Sequence, residues 1–174
     1  MPYFSNLIIF LLVIPLLGSL LLILIPKNKI LIIKIVGLSI SSFTFISSLF
    51  LWIWFDQSLG YFQFVTQIDW LPFLNINFTL GVDGISLFFI LLTTLLTLLC
   101  LLISWNSITF YVKEYILSFL IMEFFLIGVF CVLDLLLFYI LFESVLIPMF
   151  FIIGIWGSRE RKIRASFFFF YTPY

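Results

Sequence analysis

No charged side chain occurs between residues 1 and 26, and residues 87–103 read LFFILLTTLLTLLCLLI without a break. Uncharged runs of this length admit few folds. A helix needs about 20 residues to cross an apolar layer of ~30 Å, and stretches of 18 or more apolar residues read as spans. Strands of a transmembrane barrel alternate apolar and polar residues; these runs do not, so they predict helices. Composition agrees: 65% of the 174 residues are hydrophobic and 9% charged, where a soluble domain has roughly 45–50% and about 25%. The chain's natural solvent is lipid.

Several functions are disfavoured on the same grounds. Net charge is zero and there is no basic arm, so no nucleic-acid partner is expected. Cys100 and Cys131 both fall inside apolar runs, with no metal or disulfide spacing, and read as small packing residues. Histidine, the commonest metal ligand and general base, does not occur. Phe occurs 25 times and alanine only at Ala165, a bias that A/T-rich codons produce and that hints at an organellar genome.

The expected class is an all-α membrane protein with five transmembrane helices and the start of a sixth, forming one transmembrane region over residues 1–174. The spans are placed at 3–25, 30–55, 85–104, 115–133 and 135–156, with a partial one at 165–174. Lys27, Lys29 and Lys34 follow the first apolar run, whereas a signal peptide has its charge before it, so this segment is expected to stay in the membrane. The second span holds five serines from Ser39 to Ser48, small hydroxyl residues that allow close helix packing. Residues 56–83 form the long connection, where a strand over 62–68 and a hairpin on the membrane surface are expected. The last run, ten residues or ~15 Å of helix, predicts an end inside a span, with a second polypeptide completing the bundle or a truncated product.

Five spans sort the connections by side. Those at 26–34, 105–114 and 157–164 share one side and hold all eight Lys and Arg. The N-terminus, the 56–83 loop and the turn at Asp134 share the other. The positive-inside rule puts the basic connectors in the cytoplasm or matrix and the N-terminus outside.

Two carboxylates lie within spans. A charged side chain at the bilayer centre costs about 2.5–3.5 kcal/mol or more, so such groups usually face protein or water and serve a function. Glu143 falls near the midplane of the fifth span. Pro148 beyond it removes the hydrogen bond to the Ser144 carbonyl and predicts a kink, and Tyr139, one turn earlier, is within reach. The alternative is an interhelical hydrogen-bonding group without a transport role. Glu123 is the second candidate, with no helix breaker or neighbouring polar group to mark it. Asp134 reads as a turn or cap residue, half a turn out of phase with Glu143.

The stretch Leu80-Gly-Val-Asp-Gly-Ile-Ser86, the block Asp134-Leu-Leu-Leu-Phe-Tyr-Ile-Leu-Phe-Glu143-Ser-Val-Leu-Ile-Pro148-Met-Phe150, and Gly157-Ser-Arg-Glu-Arg-Lys-Ile-Arg164 resemble NADH dehydrogenase subunit 4, an antiporter-like membrane-arm subunit of respiratory complex I. The resemblance implies an antiporter-like helical bundle and makes Glu143 the fifth-helix glutamate that pairs with a lysine on a later helix. It also implies that this chain binds no cofactor, with NADH, FMN, iron–sulfur clusters and ubiquinone held by other subunits. The expected partners are the other membrane-arm subunits, a second chain supplying later helices and their lysines, and membrane lipids. The place is the mitochondrial inner membrane. A cation/proton antiporter subunit and a non-conducting structural fragment are the alternatives.

Overall fold

A computed structural model describes residues 6–56, 58, 61–71 and 76–157. Within them five helices are long and apolar enough to cross a membrane: α1 (Asn6–Leu24), α2 (Ile30–Ile53), α3 (Gly84–Ser107), α4 (Val112–Cys131) and α5 (Leu135–Trp156). The partial span at 165–174 and the first residues of the 3–25 span lie outside the described residues. α3 runs three residues past its expected end, and α4 begins three residues before its expected start. The apolar run was a guide to lipid depth; the backbone ladder continues into the polar connector.

Two helix starts are set by carboxylates. Asp83 precedes α3 and accepts from the Ser86 amide at 2.7 Å; Asp134 precedes α5 and accepts from the Leu136 amide at 2.9 Å. Each satisfies one of the orphan amides of a first helical turn. The Ser86 hydrogen bonds hold the Asp83 carboxyl below the usual carboxylate range.

Between α2 and α3 the connection forms an antiparallel hairpin of β1 (Gln63–Leu71) and β2 (Ile76–Val82), longer than the strand expected at 62–68. Its register shifts between Gln63 and Thr66, where Phe64 takes a left-handed φ of 57°, the conformation of a bulged residue. The hairpin also ties down the opposite turn. Leu80 pairs with Val132, and the Leu133 amide donates to the Thr79 carbonyl at 3.0 Å. The connections on the side without lysines are thus held together.

At the other end the lysines do the joining. Lys113 donates to the carbonyls of Ile23 and Ile25 at 2.8 and 2.7 Å, which are orphan acceptors at the end of α1. Lys34 reaches the carbonyls of Trp105 and Ile108, at the end of α3. Lys27 pairs with Glu114, which raises the affinity of its ammonium for its proton. The Trp156 indole donates to the Phe110 carbonyl at 3.1 Å. The ends of α1, α3 and α5 and the starts of α2 and α4 therefore lie together, as the sorting of charges predicts.

The core has two apolar clusters at different depths. One gathers Ile8, Leu11, Leu51, Leu80, Leu87, Ile90 and Ile127 near the hairpin. The other gathers Leu22, Ile33, Leu101, Ile116 and Leu120 near the lysines.

Candidate functional site

Between those clusters the buried side chains turn polar. Ser41, Thr44, Ser47 and Ser48 of α2, Thr94 and Thr97 of α3, and Glu123 of α4 are all buried. The chain order explains the layer: on α4, Glu123 stands between Leu120 and Ile127 of the two clusters, and on α3 the two threonines stand between Ile90 and Leu101. The inward face of α2 carries Ser41, Thr44 and Ser48 at spacings of three and four, which one helical face presents together.

Glu123 is fully buried. Its Oε1 accepts from the Thr44 hydroxyl at 2.8 Å. The same hydroxyl stands 2.8 Å from the Ser41 carbonyl, and with a single proton it can serve one acceptor at a time. Oε2 meets no hydrogen-bond partner among the described residues. Thr97 lies beside this carboxyl, and its hydroxyl also stands 2.6 Å from the Thr93 carbonyl of its own helix. Next to it Ser48 and Thr94 pair across α2 and α3 at 2.9 Å. The expectation that no second polar group attends Glu123 is corrected: its neighbours come from other helices, and the hydroxyl spacing on α2 was the signal that would have found them.

Glu143 is placed differently. It sits near the middle of α5 and is half-buried, with no hydrogen bond or ion pair to any described residue. Tyr139 is 57% exposed and makes no hydrogen bond to it. α5 packs chiefly on α4, and its buried residues are Leu137 and Pro148. Its outward face carries Phe138, Ile140, Phe142 and Ile147. The helix runs through Pro148 without interruption. The structure brings Thr44 and Thr97 to Glu123, with the Ser48–Thr94 pair one helical turn away on the same two helices, and it leaves Glu143 on α5, the outermost of the described helices.

The chemistry on offer is that of carboxyl and hydroxyl groups. Among the described residues no group of three or more His, Cys, Asp or Glu side chains could hold a metal ion. Cys131 packs in the apolar cluster near the hairpin and Cys100 faces outward from α3.

A family profile described as NADH:quinone oxidoreductase/Mrp antiporter, transmembrane, matches residues 132–173. The NADH-ubiquinone oxidoreductase chain 4 of Arabidopsis thaliana is 59% identical over 91% of this chain and 32% of its own length. That of Marchantia polymorpha is 55% identical over 98% of this chain and 34% of its own length. Among solved structures, a chain of respiratory complex I from Thermus thermophilus with bound NADH superposes with a TM-score of 0.77 at 25% identity, covering 95% of this chain and 32% of that one. The chain thus spans about a third of the length of the relatives it matches. Along nearly its whole length, and in its helical fold, the chain resembles about a third of NADH-ubiquinone oxidoreductase chain 4.

Proposed function

We propose that this chain is a proton-translocating membrane-arm part of an NADH:ubiquinone oxidoreductase, in which Glu143 takes up and passes on protons while quinone oxidises NADH elsewhere in the complex. One observation carries the reading: Glu143 is a carboxyl group near the middle of a 22-residue span with no partner among the described residues. A mid-bilayer charge costs at least about 2.5–3.5 kcal/mol, so such a group is retained with a partner or a role. The resemblance to subunit 4 implies both, a lysine from a later helix and a proton path. Glu123 is the second site: its carboxyl is one hydrogen bond short in a layer of hydroxyls, a place where a proton can be held between apolar clusters.

The rest of the reading follows from that resemblance. The whole of residues 1–174 forms one transmembrane region, NADH, FMN, iron–sulfur clusters and ubiquinone are bound by other subunits, and the partners are other membrane-arm subunits, with the later helices on a second stretch of polypeptide. The membrane is the mitochondrial inner membrane, with the lysine-joined end in the matrix and the N-terminus on the intermembrane-space side. Mass spectrometry of the NADH-oxidising band from a native gel of solubilised membranes tests the assembly. Peptides of this chain are expected in that band together with flavin and iron–sulfur subunits; their consistent absence from it would refute the reading.

A further inference from the structure

A count of acceptors at the basic end singles out one lysine. Of the four lysines among the described residues, Lys27 is paired with Glu114, Lys34 with two carbonyls at the end of α3, and Lys113 with two carbonyls at the end of α1. Lys29 has no acceptor among the described residues. It stands on the rim of an open groove of about 460 Å³ between the end of α1 and the start of α2, whose walls are Leu21, Leu24, Ile25, Ile32 and Val36. Leu24 is 81% exposed there and Ile32 43%. Clefts that hold small molecules fall in the range of about 300–1,000 Å³.

We propose that this groove binds one anionic phospholipid, with an acyl chain along Leu21, Leu24, Ile32 and Val36 and the phosphate on Lys29. The occupant is argued from charge and depth. The groove walls run from the basic connector into the apolar layer, as an acyl chain does below its headgroup. Lys29, the one cation without a partner among the described residues, lies at the headgroup end, and basic sites between helices on this side of a membrane recognise anionic headgroups. A zwitterionic lipid brings its own cation and offers Lys29 less. The proposal is independent of the role of Glu143.

The test is photolabelling of the intact complex in phosphatidylcholine vesicles doped with a photoactivatable phosphatidylglycerol or, separately, a photoactivatable phosphatidylcholine. The anionic probe is expected to label peptides bearing Leu21, Leu24, Ile32 and Val36 about fivefold more than the zwitterionic one, the effect of one lysine at an anionic surface. Lys29→Gln should bring the two probes level, and Lys27→Gln should leave the preference in place. Equal labelling by both probes, or a preference that survives Lys29→Gln, makes the groove ordinary annular contact and overturns the proposal. Absence of labelling means that a neighbouring protein segment covers the groove and overturns it equally. Should Lys29→Gln not assemble, the ratio of the two probes on the unsubstituted complex decides alone.

Discussion

Thr44 is the residue on which Glu123 depends most directly. Its hydroxyl is the donor that the Glu123 carboxyl receives, and Oε2 has no other among the described residues. Thr44→Val keeps the shape and removes the donor, leaving a buried polar group unsatisfied at a cost of about 1–3 kcal/mol. The expected result is a lower midpoint of thermal inactivation of the solubilised complex, with Thr44→Ser near the unsubstituted value. Equal midpoints for both variants would show that the hydroxyl does not matter. Glu123 itself was visible in the sequence, because one acidic residue in a long apolar run stands out. Its surroundings were not. Which hydroxyls face it depends on the rotation and depth at which α2 and α3 pack on α4, and a linear pattern of serines and threonines fixes neither.

At the scale of the elements, caps and close approaches decide the geometry. Asp83 caps α3, and Asp83→Ala should cost about 1 kcal/mol, read as faster amide hydrogen exchange in the first turn of α3. Because the folded carboxyl is held below its ordinary range, its contribution is present above the unfolded carboxylate value and is lost as pH falls through the lower folded one. Amide exchange in that turn should therefore rise, relative to Asp83→Asn, only under strongly acid conditions. Gly37 marks the close approach of α2 and α4: a Cβ there would meet Ile116 Cγ2 at 2.3 Å, on a β-branched side chain that has little rotamer freedom in a helix. Gly37→Val should cost about 1–3 kcal/mol of overpacking and lower the yield of assembled complex on a native gel, and an unchanged yield would mean that the two helices part freely. The Asp134 cap was legible, since Asp before an apolar run is a local signal; Asp83 carries the same signal, but its capping emerged only from the structure. The hairpin was legible only in part: aromatic and β-branched residues near 62–68 mark a strand, whereas the pairing of Leu80 with Val132 joins segments far apart in the chain.

For the molecule as a whole, the expected sorting of the basic connectors to one side foretold the arrangement in which Lys27, Lys34 and Lys113, the described lysines that find partners, bind the neighbouring helix ends. The carbonyl partners were not legible, because any helix end offers the same orphan acceptors and only the packing chooses among them. The position of Glu143 on the outermost described helix, half-buried and without a partner among the described residues, is what the proton-carrying role rests on. The decisive measurement is proton uptake per NADH oxidised by the reconstituted complex bearing Glu143→Gln, with the amount of assembled complex determined in parallel. The expected result is a severalfold loss of proton translocation at near-normal assembly, since glutamine keeps the shape and the hydrogen-bonding capacity but cannot carry the proton. Translocation at the unsubstituted yield per NADH would contradict the role assigned to Glu143.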